Sequence, residues 1–191
     1  MIPKETTEEL FIKSLEDLMK KKTFEKITVL EIVENCGAGR STFYHYFQDK
    51  YDLANHMYRK QLGISQEVHR GTDAPEVLLT CLKYIQEHRA YYQNLISYDG
   101  QNSFYELVQE LSLQWWGDLL ESVKKEDGER GEELSYSISF FSTGIAAMIR
   151  KWIKEDFRTP SDTLVRYLLR SIPFNLYHAM KDSEMEKYNF V

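Results

Sequence analysis

The chain has 191 residues, of which 42% are hydrophobic and 28% charged, and its formal net charge is −6. This composition is typical of one or two globular domains, and it excludes global disorder because aromatic residues make up 14% of the chain. The negative net charge disfavours indiscriminate coating of nucleic acid. No apolar run is long enough for a signal peptide or a membrane span, so we expect a cytoplasmic protein without a membrane partner.

Catalytic and metal chemistry find little support in the sequence. The two cysteines, Cys36 and Cys81, have neither CxxC nor zinc-ligand spacing and are expected to be core residues. None of the five histidines has a ligand-type partner at helical i, i+4 spacing on an apolar face. No Ser-His-Asp, Cys-His or paired-carboxylate arrangement is readable. We therefore predict no metal, no cofactor and no catalytic residue, and a protein that is not an enzyme.

Charge is unevenly distributed along the chain. Residues 1–60 hold ten basic and ten acidic side chains, whereas the remaining residues hold fourteen basic and twenty acidic ones. An anionic partner is therefore expected to meet the first third of the chain, through a local patch.

Helical periodicity dominates, and we predict an all-α fold of about nine helices. The stretch 71–75 is the clearest break, 124–131 reads as a charged loop, and Pro173 is expected to kink the last helix because it lacks an N–H. The predicted helices cover about 5–22, 28–37, 40–47, 50–69, 75–88, 89–97, 102–124, 132–155 and 161–181.

The second predicted helix has clear end signals. Thr28 is placed as its N-cap, and Glu31, three residues later, completes a capping box. Gly37 follows the last apolar position, where a residue with positive φ commonly ends a helix.

The stretch NCGAGRSTFYHYF, residues 35–47, raises two interpretations. A phosphate-binding loop would need glycine where Glu34 stands, lysine where Arg40 stands, and a strand before it. The preceding residues instead continue a helical stripe. The alternative, a helix, a tight turn at Gly37 and a second short helix, agrees with every position.

The second helix of this pair has two distinct faces. At about 100° per residue, Phe43 and Phe47 fall together, opposite Ser41, Thr42 and His45. An aromatic anchor on one side and short hydrogen-bonding groups on the other are what a recognition helix needs in the major groove of DNA.

The segment ITVLEIVENCGAGRSTFYHYFQDKYDL, residues 27–53, resembles the N-terminal DNA-binding domain of the TetR/AcrR family of bacterial transcription regulators, with the likeness extending over 7–60. The resemblance implies a three-helix helix-turn-helix domain over 1–50 and a helical effector-binding and dimerisation domain over 51–191, connected by the helix at about 50–69. It also implies contact with double-stranded DNA, with Tyr44 and Lys50 on phosphates and Arg40 on phosphate or guanine. The implied DNA-binding residues are Thr28, Arg40, Ser41, Thr42, Tyr44, His45, Tyr46 and Lys50.

Two departures from the family pattern matter. Gly39 stands where relatives often have a serine that caps the recognition helix, so a phosphate contact there is lost or moves to the backbone N–H. The arm before the first helix offers only Lys4 as a cation, so no minor-groove grip is expected.

The helix predicted at 132–155 has apolar residues on two faces and therefore needs two sets of neighbours. Its segment FFSTGIAAMIRKWI resembles the penultimate helix of TetR-like proteins, which pairs across a two-fold axis. We expect a homodimer on a near-palindromic operator. The expected interface residues are Phe140, Gly144, Ala147, Lys151, Leu164, Tyr167 and Leu168.

Aromatic and polar residues mix between residues 75 and 124, which predicts either an effector pocket or an aromatic core. The candidate pocket residues are Cys81, Tyr84, His88, Tyr92, Phe104 and Trp115. We expect a repressor controlled by an unknown small-molecule effector. The alternative is a TetR-like regulator or activator controlled by a protein partner that docks on the C-terminal helices; exposure of Trp115 and Trp116 would favour this alternative.

Overall fold

The computed structural model describes residues 6–61, 74–119 and 129–182 and contains only helices and turns over those ranges. The predicted all-α class is confirmed. A short 3₁₀ turn at Phe24–Lys26 accompanies ten α-helices in the described residues. They are α1 (Thr7–Met19), α2 (Val29–Cys36), α3 (Arg40–Tyr46), α4 (Lys50–Gln61), α5 (Ala74–Glu87), α6 (Arg89–Leu95), α7 (Phe104–Leu119), α8 (Glu129–Lys154), α9 (Ser161–Arg170) and α10 (Phe174–Asp182).

Three predicted stretches need comment. The predicted helical residues 62–69 and 120–124 and the loop residues 124–128 lie outside the described residues. The rest of that predicted loop, 129–131, is helical and forms the start of α8. Within the described residues, no helix has the length and apolarity needed to cross a membrane.

The chain forms two compact units. The first unit contains residues 1–64 and 88–104, and the second contains 65–87 and 105–191. The helix α6 therefore belongs with α1–α4, although α5 precedes it in the chain. Sequence order misses this arrangement because the grouping depends on long-range packing.

The first unit is built around an aromatic and aliphatic core. Within it α1 packs against α2, α4 and α6, and α2 packs against α3. Phe11, Phe24 and Phe43 are fully buried. The buried Ser14 hydroxyl donates to the Ile32 carbonyl oxygen at 2.7 Å, which joins α1 to α2 by a satisfied polar contact.

The helix α6 and its following turn close the core of this unit. The Tyr92 ring lies 4.9 Å from that of Phe104 and 6.0 Å from that of Tyr58, measured between centroids. The Tyr91 hydroxyl donates to the Ala54 carbonyl oxygen at 3.1 Å. These contacts attach α6 to α4 by both apolar packing and hydrogen bonding.

The second unit contains the longest described helix, α8, of 26 residues. Its inner side carries Ile138, Phe141 and Trp152, all buried. The Phe141 ring packs edge-to-face on Trp116 of α7 at 5.4 Å. Elsewhere in this unit α9 packs against α5, and α10 packs against α8.

Two sequence expectations change in detail. The last predicted helix, 161–181, is two helices rather than one kinked helix: α9 ends at Arg170 and α10 begins after Pro173. Proline has no N–H to continue the hydrogen-bond ladder, which explains the break. Cys36 and Cys81, expected in the core, are only partly buried, and neither forms a disulfide within the described residues.

Candidate DNA interface

The turn between α2 and α3 has helix-turn-helix geometry. Gly37 ends α2 with φ of 70° and ψ of 20°, a left-handed conformation that residues with a Cβ rarely adopt. The Ala38 N–H donates to the Val33 carbonyl oxygen at 2.9 Å, so the end of α2 is capped by its own backbone. Gly39 then precedes α3 in an extended conformation without a side-chain cap. The glycines therefore make a tight turn between two helices.

Phenylalanines hold α3 in place. Phe43 is fully buried, and its ring lies 5.3 Å from Phe11 of α1 and 5.7 Å from Phe47. The Phe11 and Phe47 rings also meet edge-to-face at 6.2 Å. Burying such a ring contributes about 1.5–3 kcal/mol, so this cluster fixes the orientation of α3.

The opposite face of α3 is open to solvent. Tyr44 is 53% exposed and Tyr46 41% exposed, in agreement with the sequence expectation. The remaining outward residues are Arg40, Ser41, Thr42 and His45, all exposed. This face offers a cation, two hydroxyls, two phenols and an imidazole, which are groups that bind phosphates and base edges.

Thr28 has an internal role in the structure. Its hydroxyl accepts from the Glu31 N–H at 3.3 Å and donates to the Glu31 carboxylate at 2.9 Å, and that carboxylate also accepts from the Thr28 N–H at 2.9 Å. The predicted capping box is therefore present. The side chain remains exposed, and its contact with DNA stays a prediction.

The sequence did not indicate Lys22 as part of this arrangement. Its ammonium pairs with the Glu31 carboxylate, and with the Thr28 hydrogen bonds this lowers the pKa of Glu31 from 4.5 to about 2. The nine-residue separation follows no helical pairing rule, so no local signal predicted it. The Lys22–Glu31 pair lies at the start of α2, at the opposite end of this helix from the turn to α3.

Lys50 is bound within the protein. Its ammonium donates to the carbonyl oxygens of Phe24, Glu25 and Ile27 at 3.0, 2.8 and 2.8 Å. Burial is the largest influence on its pKa and lowers it. An ammonium has three donors, and here each has a backbone acceptor. A DNA phosphate would have to displace one of them, so the predicted phosphate contact competes with an observed structural role.

The known proteins that resemble this chain agree with the geometry. Residues 11–57 match the family model described as bacterial regulatory proteins, tetR family, and residues 72–173 match the model described as transcriptional regulator C-terminal region. The chain belongs to the TetR family. It is therefore a DNA-binding transcription regulator and not an enzyme.

One TetR-family relative is the HTH-type dhaKLM operon transcriptional activator DhaS of Lactococcus lactis subsp. lactis (strain IL1403). It is 26% identical over 156 residues, which cover 77% of this chain and 79% of the relative. A solved structure named dihydroxyacetone kinase operon activator DhaS has a TM-score of 0.53 at 20% identity, covering 94% of this chain and 97% of that one. The structural likeness supports the fold alone.

The predicted effector-pocket residues divide between the two units of this TetR-family chain. His88, Tyr92 and Phe104 belong to the first unit, where Tyr92 and Phe104 are buried against each other in its aromatic core. Cys81, Tyr84 and Trp115 belong to the second. Core packing, the alternative that the sequence left open, accounts for Tyr92 and Phe104. The assignment of the set to an effector pocket stays a prediction.

The predicted dimer residues also separate into two classes. Phe140 is 76% exposed, Tyr167 is 58% exposed, and an added Cβ at Gly144 would meet no atom within 4 Å. Leu164 and Leu168 are instead buried on the inner side of α9, which packs against α5. Their burial shows packing within the subunit, and their place in a dimer interface stays a prediction. Ala147 and Lys151 are exposed on α8, on the same side as Phe140.

Proposed function

We propose that the chain is a homodimeric regulator that binds a near-palindromic operator and is controlled by a small-molecule effector, acting as a repressor. The observation that carries operator binding is α3, which has a buried aromatic side and an exposed polar side. A rigid helix with this polarity can present fixed side chains to base edges, which an exposed flexible segment cannot do.

A polar stripe on α3 needs a second copy to read a long site. Two recognition helices about 34 Å apart would meet successive major grooves on one side of the duplex. The exposed stripe of α8 supports such pairing: Phe140, Gly144, Ala147 and Lys151 recur at four, three and four residues, which places them on one side of the helix. A second copy is a suitable partner for a stripe that combines an exposed ring with small residues. Two-fold symmetry would pack the stripe of one copy against the same stripe of the other.

The tryptophan pair supports control by a small effector rather than by docking at that site. Trp116 is buried and Trp115 is partly buried, and the two rings pack edge-to-face at 4.8 Å. An effector would act by binding one arrangement of the dimer better than another.

A second candidate is an activator controlled by a protein partner. The relative in Lactococcus lactis is named as an operon activator, which favours this sign of regulation. Phe174 on α10 is 79% exposed and lies outside the predicted dimer residues, and its ring contacts the His178 ring in a tilted arrangement, with 4.2 Å between centroids. An exposed ring of this kind is typical of the anchor residues in protein interfaces.

Operator binding is tested by selecting genomic fragments with the purified protein at about 150 mM salt and footprinting the best fragment. The expected result is a protected near-palindrome. If no fragment is enriched over random DNA, the proposed operator function is wrong.

The selected operator then allows a test of α3. Arg40→Ala in the dimer should lower affinity and reduce the salt slope by about two, one phosphate contact per half-site. Tyr44→Ala should weaken binding to all sequences with little change in slope, because a phenol displaces no counterion. Arg158→Ala, an exposed cation of the second unit, is the matched control and should change neither. Unchanged affinity in both α3 variants would contradict the docking.

The sign of regulation needs a reporter at the native promoter. Deleting the gene should raise expression for a repressor and lower it for an activator. For a partner-controlled activator, Phe174→Asp should abolish activation while the purified variant keeps full operator affinity. Operator affinity lost together with activation would exclude a separate docking role for Phe174.

A further inference from the structure

The connection between α1 and α2, residues 20–28, is held from α6 by one side chain. Asn94 accepts a hydrogen bond from the Phe24 N–H at 2.8 Å through its side-chain oxygen. Its side-chain nitrogen donates to the carbonyl oxygens of Met19 at 2.9 Å and Lys22 at 3.0 Å. The amide therefore uses one acceptor and both donors on backbone groups at least 70 residues earlier in the chain.

Lys50 holds the other part of the same connection. It binds the carbonyl oxygens of Phe24, Glu25 and Ile27, so Phe24 is bound at its N–H by Asn94 and at its carbonyl by Lys50. The 3₁₀ turn at Phe24–Lys26 is thus fixed by polar side chains of α4 and α6. A connection with so many of its backbone groups satisfied is rigid, because opening it would leave several groups without partners.

Aromatic packing strengthens the same attachment. The Phe24 ring meets Tyr51 at 5.4 Å and Tyr98 at 6.5 Å, and the two tyrosines stack at 4.5 Å. Tyr98 lies in the turn just after α6 and Tyr51 in the first turn of α4. The segment after α6 therefore contributes apolar contacts where Asn94 contributes hydrogen bonds.

The position of this connection determines the position of the recognition helix. It ends at Thr28, the N-cap of α2, and the tight turn at Gly37 joins α2 to α3. We propose that Asn94 is a positioning residue for operator binding, because it ties α6 to the α1–α2 connection and so fixes α2 and α3. The proposal rests on the operator function proposed above.

The test compares Asn94→Asp and Asn94→Ala in the full chain. The aspartate keeps the acceptor for Phe24 but places an oxygen against the Met19 and Lys22 carbonyls, and the alanine removes all three bonds while preserving helix propensity. The matched control is Asn175→Ala in the second unit, whose side chain donates to Ser137 at 2.7 Å and to Glu133 at 3.1 Å.

The first measurement, hydrogen exchange of the DNA-free protein, does not depend on finding an operator. Both Asn94 variants should accelerate exchange of the amides at 19–28 by about tenfold or more, while α4 stays protected. A uniform rise over 6–61 would mean that Asn94 only stabilises the whole unit, and that result would overturn the proposal. Unchanged exchange would overturn it as well.

The second measurement uses the operator fragment selected by the wild-type protein, below the melting temperature of each variant. Operator affinity should fall about tenfold or more, with the salt slope and the affinity for random DNA nearly unchanged, because no phosphate contact is removed. Asn175→Ala should bind as the wild type does. Wild-type operator affinity in both Asn94 variants would disprove the positioning role. If the wild-type protein selects no operator, the proposed function is wrong. The hydrogen-exchange result still tests whether Asn94 holds the α1–α2 connection.

Discussion

The two units of this chain are both built from helices, but the exposed sides of those helices carry different kinds of side chain. The recognition helix of the first unit presents a guanidinium, hydroxyls and phenols, whereas the exposed sides of α8–α10 in the second unit present Phe140, Tyr167 and Phe174. Polar donors suit an anionic polymer that carries sequence information in its base edges, and exposed rings suit another protein surface. The surface chemistry therefore supports the proposal that DNA binds the first unit and that a second copy or a partner protein binds the second.

The units also differ in how their inner polar groups are used. In the first unit Lys50 and Asn94 bind backbone groups of a distant connection. In the second unit, Gln109 and Thr143 join α7 to α8 through their side chains at 2.8 Å, as do Ser112 and Ser142 at 3.1 Å, beside the bond from the Trp152 indole to the Thr159 carbonyl oxygen. Bonds to a loop backbone fix a geometry that must be exact for reading DNA, while bonds between side chains on two helices can exchange partners as helices shift.

The largest effect is expected from removing Phe43, the buried ring that anchors α3. Phe43→Ala deletes a fully buried ring and should cost about 3–5 kcal/mol of folding free energy, because the cavity is lined by Phe11 and Phe47. The measurement is urea unfolding followed by circular dichroism, together with operator affinity. Tyr44→Ala is the control: its exposed ring should affect DNA binding with little effect on stability. A stable Phe43→Ala protein would show that this core does not position α3.

The second unit has a corresponding test on its surface. Phe140→Glu should leave the subunit folded, since the ring is 76% exposed, but it places two charges in a symmetric interface. Loss of about 1.5–3 kcal/mol per buried ring predicts a dimer dissociation constant at least about a hundredfold higher. Sedimentation velocity and half-site binding measure this. Gln86→Glu, an equal charge change on exposed α5, should remain dimeric; dimers that persist in Phe140→Glu would place the interface elsewhere.

A substitution of Lys50, the first residue of α4, tests whether its ammonium binds backbone carbonyls of its own unit or a DNA phosphate. Lys50→Met keeps the aliphatic stem and removes the ammonium, so it should lower stability by about 1–3 kcal/mol by leaving the carbonyls of the connection without their donor. Denaturant unfolding gives this value. Titration of the operator at several salt concentrations measures the salt slope of binding. An unchanged slope supports the internal role of Lys50, whereas a smaller slope with unchanged stability would support the predicted phosphate contact.

The sequence predicted the elements that rest on local chemistry. The capping box at Thr28, the turn at Gly37 and the buried and exposed sides of α3 depend on residues within four positions of each other, and all appear in the structure. Helix periodicity placed most helix ends within a few residues for the same reason.

The sequence could not predict features that depend on distant contacts. Lys50 reads as an exposed cation at a helix start, and only the fold shows the carbonyls that surround its ammonium. Asn94 carries no local signal, since its partners lie on α1 and the following connection. The inward orientation of Leu164 and Leu168 likewise follows from the packing of α9 on α5, which an amphipathic stripe alone leaves undetermined.

The smallest expected effect concerns the Lys22–Glu31 pair beside the start of α2. The folded pKa of Glu31 is about 2, against an ordinary 4.5, chiefly through Lys22 and then Thr28. A depressed carboxyl pKa stabilises the folded state fully above about pH 4.5, and this stabilisation is lost as the pH falls toward 2. Glu31→Gln keeps the capping-box geometry but cannot titrate. Urea unfolding between pH 2 and 6 should therefore show the wild type approaching the variant in stability as the pH falls. A constant difference over that range would mean that the Lys22–Glu31 pair contributes nothing to the stability of the start of α2.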